Sequence, residues 1–375
     1  MNRQFNIFYY VFLICILLNE ILIRTQIPME TFNKTFYIVG ASYIIIYFFS
    51  YITTCLTSKQ FNFKEVIYLG VFGIITVLVF LTNKSRVILI SQFILIMSSK
   101  NIDIRNIFKI NLFTRLFTII IVAILAILNI IPNELDLKYY YYNEGIIVYG
   151  NPLGFLHPNG LYWNLFVIFA CLIYLYFDKL KVVHILLLMG ISYIFYLITL
   201  SRTGFICALI LFILYFIFKK IDINIKISKI CLTFFYSIIA LINVIFPIYY
   251  SSSYEIMVKI SKLLSGRLYW ANKIYQLFGI KLWGNSIPYS SDLILDNLYS
   301  YLLFDHGVVF FILLCIGFTL LSRKLLRYGY KKEIFIIAIF AIYGITERYG
   351  SNIFQNLSYL FLLELIYPGI LIKKE

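Results

Sequence analysis

Charged side chains are sparse in this sequence, so the few that stand at the edges of its apolar runs hold most of the chemical information. Arg202 in LSRTGF, Arg267 in SGRLYW and Arg348 in ITERYGSN each occupy such an edge, as do Asp296 in LDNLYSYLLFDHG and His157 in GFLHPNG. Arginine presents a planar fork of donors that grips two oxygens at once, which suits phosphate and diphosphate. A carboxylate or imidazole near such a group can accept a proton from an attacking hydroxyl. Each position has a plainer reading beside this one. Arg202 could be an anchor that snorkels at a membrane edge, Arg267 could meet lipid headgroups, and Arg348 could pair with adjacent Glu347. Asp296 could be a helix cap and His157 a turn cap. Asp305 and His306 put polar atoms inside an apolar run, so that helix should face protein or a water-filled cavity.

Nothing in the sequence calls for a metal or another cofactor. No two His have metal-ligand spacing, and no DxD motif occurs at an outer loop. The six Cys (Cys15, Cys55, Cys171, Cys207, Cys231 and Cys315) lie in or beside apolar runs without a CxxC pair, and read as small buried hydrophobes with no disulfide.

The elements that must position these residues follow from composition. The chain is 62% hydrophobic and only 13% charged, against about 25% charged in soluble domains. Mean hydropathy is +0.90. The fold class this implies is all-α: a polytopic integral membrane protein with a single domain over 1–375. At ~20 apolar residues per span, the runs give about 12 transmembrane helices. They are expected at 7–23, 36–56, 64–81, 86–98, 112–131, 159–177, 182–200, 204–218, 230–249, 298–321, 333–346 and 353–371. The first run lacks a small-residue cleavage site and reads as a span, not a removed signal peptide.

An even span count places both termini on one side. The loops on that side, from Arg3 through Lys219-Lys220 and Arg323-Lys324 to Lys373-Lys374, hold most of the 32 Lys and Arg, so both termini are expected in the cytoplasm. Arg115 falls at the start of a span on the same side. The net charge of +15 reflects this asymmetry and does not argue for nucleic acid. Two outer loops are long, 132–158 and 251–296. The first is acidic and rich in Tyr, including Tyr139–Tyr142. The second should be partly helical. Ser252-x-x-Glu255 fits a capping box, and Ile256, Ile260, Leu263 and Leu264 share one face as far as Gly266. A second amphipathic segment, Arg267–Phe278, ends at Gly279, and both can lie on the membrane surface.

Taken in order, GFLHPNG, SRTGF, SGRLYW and LDNLYSYLLFDHG resemble the motifs of Wzy-type polysaccharide repeat-unit polymerases, within the O-antigen ligase-like membrane glycosyltransferases. The resemblance covers most of the chain by topology. It implies a GT-C-like helical fold in the bacterial cytoplasmic membrane. It also implies polymerisation of lipid-linked oligosaccharide repeat units into a capsule, exopolysaccharide or O-antigen. The partners implied are a polyprenyl-diphosphate-linked oligosaccharide, membrane lipid and other polysaccharide export or chain-length proteins, with no nucleic acid. By the same resemblance Arg202, Arg267, Arg348 and Asn297 would bind diphosphate or glycan. Asp296, His157 and Arg267 would be catalytic. The ligase branch starts this span with a His-Asn-x-x-Leu-like motif; Asp296 stands where that His would be, which favours the polymerase branch. The alternative from another class is a flippase of lipid-linked oligosaccharides. It should show charges spread through its spans and two similar halves. A membrane subunit without activity is a third reading.

Overall fold

The computed structural model describes residues 3–28, 63–82, 92–93, 95–96, 98–99, 102–139, 147–223, 225–290 and 293–371. The expected span 36–56, most of 86–98 and Tyr140–Tyr142 lie outside these residues. The described chain is mostly helical. Among the described residues, six helices are long and apolar enough to cross a membrane: α3 (Ile104–Ile127), α4 (Pro158–Tyr176), α5 (Val182–Thr199), α6 (Arg202–Lys220), α7 (Lys226–Ile248) and α10 (Leu298–Arg327). Helices suit such sequences because hydrocarbon offers no partner to a backbone N–H or C=O. Shorter or less apolar helices complete the set: α1 (Arg3–Leu22), α2 (Phe63–Thr82), α8 (Glu255–Leu263), α9 (Arg267–Phe278), α11 (Lys331–Tyr343) and α12 (Leu363–Ile366).

Two compact units divide the chain. Unit 1 comprises 1–53 and 101–220. Its central helix is α4, which is apolar all round and buried along nearly its whole length, as expected of a helix surrounded by others. α5 is the opposite case: Val183, Leu186, Leu187, Ile194 and Leu197 are all exposed, leaving a broad face suited to lipid. Outer loop 132–158 is not wholly irregular. β1 (Asp136–Tyr139) and β2 (Ile147–Gly150) pair antiparallel, with Asp136 opposite Gly150. This hairpin qualifies the all-α expectation.

Arg115 also differs from expectation. α3 begins at Ile104, where Asp103 caps it by accepting from the Arg105 N–H at 2.8 Å. Arg115 therefore sits roughly three turns into the helix, not at its start. It is fully buried, with Nε donating to Asn111 Oδ1 at 3.1 Å and Nη1 donating to Asn164 Oδ1. Hydropathy hid this because the charged first turns of α3 read as loop.

Unit 2 comprises 54–100 and 221–375. α7 and α10 form its main helix pair. Tyr236 stacks on Phe318 at 4.0 Å and meets Tyr299 edge-on at 5.7 Å, while the hydroxyls of Ser237 and Thr319 share a 2.7 Å hydrogen bond. α8 and α9 occupy loop 251–296 as expected. α8 starts at Glu255 with Tyr254 as its cap residue, two residues later than the Ser252 capping box would place it. Its apolar edge is open, with Ile256 72% and Leu263 84% exposed. The expected span 353–371 is instead a 3₁₀ segment, Leu357–Leu362, followed by the single turn of α12. Pro368, which cannot continue a helix, follows that turn, and Glu364 secures the chain there. Its buried carboxylate ion-pairs with Lys324 at 3.0 Å and accepts from the Gly369 and Leu371 N–H groups, which ties the chain into a turn.

The feature that shapes unit 2 is a break in α10. Gly307 has φ 90° and ψ 169°, a region essentially reserved for glycine. The groups released from the helix ladder are taken up by segment 281–285. Val308 N donates to Lys281 O at 3.1 Å, Val309 N to Leu282 O at 3.3 Å, and Asn285 donates to Phe304 O through both its backbone N (2.8 Å) and its Nδ2 (3.0 Å). The approach is close enough that a Cβ on Gly307 would fall 2.3 Å from Leu282 O, and one on Gly284 2.0 Å from Asp305 O. Gly307→Ala is therefore expected to destabilise the protein by roughly 2 kcal/mol or more, read as a lowered midpoint in detergent thermal unfolding. An unchanged midpoint would mean the break is not held by this contact.

Candidate functional site

Four of the six residues singled out from the sequence lie in unit 2, and the start of α10 organises them. Asn297 is the cap: its Oδ1 accepts from Tyr299 N at 2.9 Å and Ser300 N at 3.0 Å. Its Nδ2 donates to Asn243 Oδ1 on α7 at 2.8 Å and to Ile345 O at 2.9 Å. Both donors and the acceptor of this buried amide are thus committed inside the protein. Leu298 N donates to Gly344 O at 2.9 Å, and the Tyr299 hydroxyl to Ala341 O at 2.6 Å. These bonds stitch the start of α10 to the turn that leads from α11 to Arg348.

Asp296 is relieved of the capping role by its neighbour. It stands just outside the helix, half-exposed, and among the described residues it accepts no hydrogen bond and pairs with no cation. A carboxylate in that state is available to a ligand or a proton.

Arg267 opens α9 directly after Gly266, whose φ of +80° lets the chain turn between α8 and α9. It is only 7% exposed. Its Nη2 meets Glu347 Oε1 at 3.3 Å, its Nη1 donates to Leu264 O at 3.0 Å, and its buried Nε has no acceptor among the described residues. The pairing expected between Glu347 and Arg348 gives way to this longer-range one. Glu347 stands in extended backbone just before the 3₁₀ turn that Arg348 opens.

Arg348 is half-buried and lies over aromatic rings, its guanidinium carbon 4.8 Å from the Tyr289 centroid and 5.9 Å from that of Tyr301. Among the described residues no carboxylate or carbonyl accepts from it. The two rings stack at 6.3 Å. The Tyr289 hydroxyl donates to Asp305 Oδ1, and burial, reinforced by that carboxylate, holds the Tyr289 phenol well above its usual range. His306 packs edge-on against Tyr301 and Phe310, both at 5.2 Å. Asp305 and His306 are buried, as expected of polar groups in a helix that faces protein.

His157 and Arg202 lie in unit 1, at helix starts that are also stitched together. His157 Nδ1 accepts from Asn159 N at 3.0 Å and so caps α4, with Pro158 following in the first helical position. The Ser201 hydroxyl donates to Asn159 Oδ1 at 2.8 Å, tying that cap to the turn before Arg202, the first residue of α6. Leu200 takes a left-handed conformation (φ 53°) to make the turn. Both His157 and Arg202 are exposed.

In the sequence Asn243 carries no signal of a role, and Glu347 reads only as a local partner for Arg348. Tyr289 and Tyr301 are indistinguishable there from an interfacial aromatic belt, because a cation–π partner has no characteristic spacing. Among the described residues no group of three or more His, Cys, Asp or Glu is placed to hold a metal ion. Compared with protein-family models, curated proteins and solved structures, the chain matches none.

The Arg267–Glu347 pair generates a stability prediction. Removing one partner of a buried pair strands the other charge, whereas replacing both by apolar groups is close to neutral. Arg267→Met alone should lower stability by about 3 kcal/mol, and Arg267→Met with Glu347→Leu should restore most of it in thermal unfolding. Equal losses in the single and double variants would show that the pair is not the source of the effect.

Proposed function

We propose that this chain is a membrane glycosyltransferase that polymerises lipid-linked oligosaccharide repeat units at the outer face of the bacterial cytoplasmic membrane. The observation that carries the reading is the pairing of roles at the start of α10. Asp296 is a half-exposed carboxylate and Arg348 a half-buried guanidinium, both without an acceptor or counter-charge among the described residues, on segments stitched to one another. Transfer from a glycosyl diphosphate uses a base for the acceptor hydroxyl and a cation for the leaving diphosphate. The order of the motifs along the chain supports the same class, as does the resemblance they bear to repeat-unit polymerases.

In the reaction so assigned, an acceptor hydroxyl of the incoming lipid-linked repeat unit attacks the anomeric carbon of the growing glycan. The new C–O bond forms as the bond from that carbon to the diphosphate oxygen breaks, and the polyprenyl diphosphate leaves with the electron pair. Asp296 takes the hydroxyl proton. Arg348 stabilises the negative charge that accumulates on the leaving diphosphate, which is where a preorganised cation contributes most. His157 and Arg202, which the resemblance adds to the site, belong to unit 1. Arg267 is the residue whose part changes most: a buried, ion-paired side chain serves the site by holding Glu347, and Asn297 serves it by fixing the helix start. The fold is GT-C-like in this reading, with both termini cytoplasmic. Export and chain-length proteins are its partners.

A transporter of lipid-linked oligosaccharide is the second reading. It is favoured by the buried Arg115 in α3 and by the broken α10 with Asp305 and His306 at the break, since intramembrane charge and discontinuous helices are common in transport. The producing cell separates the two. Asp296→Ala and Arg348→Ala should each shift its surface glycan from long chains to single exported repeat units. Normal chain lengths in both variants would sink the polymerase assignment, and loss of all exported glycan would favour the transporter.

A further inference from the structure

The two arginines of unit 2 are in different chemical states. Arg267 has both terminal nitrogens engaged inside the protein. Arg348 rests on two tyrosine rings and gives its N–H groups to no acceptor among the described residues. A guanidinium placed on an aromatic ring can still present N–H donors along its edge to an oxyanion. It is, moreover, restrained from two sides. Glu347, its neighbour along the backbone, is held by Arg267 at 3.3 Å. The Tyr289 ring beneath it is held by its hydroxyl bond to Asp305, which sits two residues before the Gly307 break in α10. Segment 281–285, which fills the break, leads directly into Tyr289.

We propose that Asp305 is a positioning residue that acts through Tyr289 on Arg348, the guanidinium already assigned to the phosphate oxyanion. Arg267 is then a second positioning residue, acting through Glu347, and does not itself touch the ligand. A long flexible side chain loses rotamer freedom when it binds, and one already held by its surroundings loses less. The hydroxyl of Tyr289 and the carboxylate of Asp305 thus contribute to affinity without contacting the anion. The assignment rests on the polymerase reading only for the source of the phosphate, the diphosphate of a lipid-linked glycan. A phospholipid headgroup offers the same chemistry.

The full chain in nanodiscs of zwitterionic lipid, dialysed to equilibrium against radiolabelled inorganic pyrophosphate, provides the test, with thermal unfolding recorded for every variant. Wild type should bind saturably, and Arg348→Gln should lose that binding. Tyr289→Phe keeps the ring and removes the hydroxyl, and should weaken binding roughly three- to tenfold. Asp305→Ala removes the acceptor for that hydroxyl and should weaken binding to a similar extent; wild-type affinity in this variant would show that the carboxylate has no part. No binding by wild type, unchanged binding by Arg348→Gln, or wild-type affinity in Tyr289→Phe would each overturn the proposal. So would a Tyr289→Phe loss that merely tracks a lowered unfolding midpoint. Repeating the titration in phosphatidylglycerol discs distinguishes the sources. Retained pyrophosphate binding supports a diphosphate, while its loss there keeps the oxyanion site and overturns the diphosphate as its ligand. If Arg348→Gln abolishes pyrophosphate binding yet cells carrying it still make long surface chains, this site stands and the polymerase reading falls.

Discussion

A polar group inside this protein has to find its partner within the protein, because the helices around it are apolar and hydrocarbon offers none. The break at Gly307 is where that constraint is sharpest. Opening a helix ladder releases backbone donors and acceptors that would each be penalised by several kcal/mol in lipid. Segment 281–285 takes them up, and it can only do so because two glycines let backbone meet backbone. Much of unit 2 follows from this contact. It directs the chain onward to Tyr289, and it sets Asp305 and His306 on the short first part of α10, facing protein.

The same constraint sorts the charges. Arg267 and Glu347 are nearly inaccessible and are stable there because they neutralise one another. Arg348, one residue along, is less buried and is accommodated by the faces of two rings, a weaker attraction that leaves its donors open. Asp296 is left at the surface because Asn297 already satisfies the first N–H groups of α10. A site can emerge in this way from competition: the residues best buried and best partnered become framework, and those that lose the competition for partners face outward.

In unit 1 the pattern recurs on a smaller scale. His157 caps α4, Asn159 links that cap to Ser201, and Arg202 follows at the start of α6. Arg115 shows the opposite outcome, a cation drawn fully inside and met by the amide oxygens of Asn111 and Asn164. Two arginines in one unit thus occupy the extremes of exposure, although both stand among apolar residues in the sequence.

Read by itself, the sequence determined the class of environment and the rough ends of most described helices, because both depend on local hydrophobicity. α4, α5, α6 and α7 fall within a few residues of their expected ranges for that reason. It also determined that charged residues gather at helix ends, since that is where apolar runs stop. Tertiary structure alone decided which of them are open. Nothing in SGRLYW or ITERYGSN reveals that Glu347 pairs with Arg267 and not with its neighbour, nor that Asn297 and not Asp296 caps α10. Those choices depend on contacts between residues far apart in the chain. So does the hold on the turn in 353–371, a stretch apolar enough for a span, which the pairing of Glu364 with Lys324 secures. Hydrophobicity is a property of a segment and can be read locally. The satisfaction of a buried charge belongs to a pair, and only the fold brings the pair together.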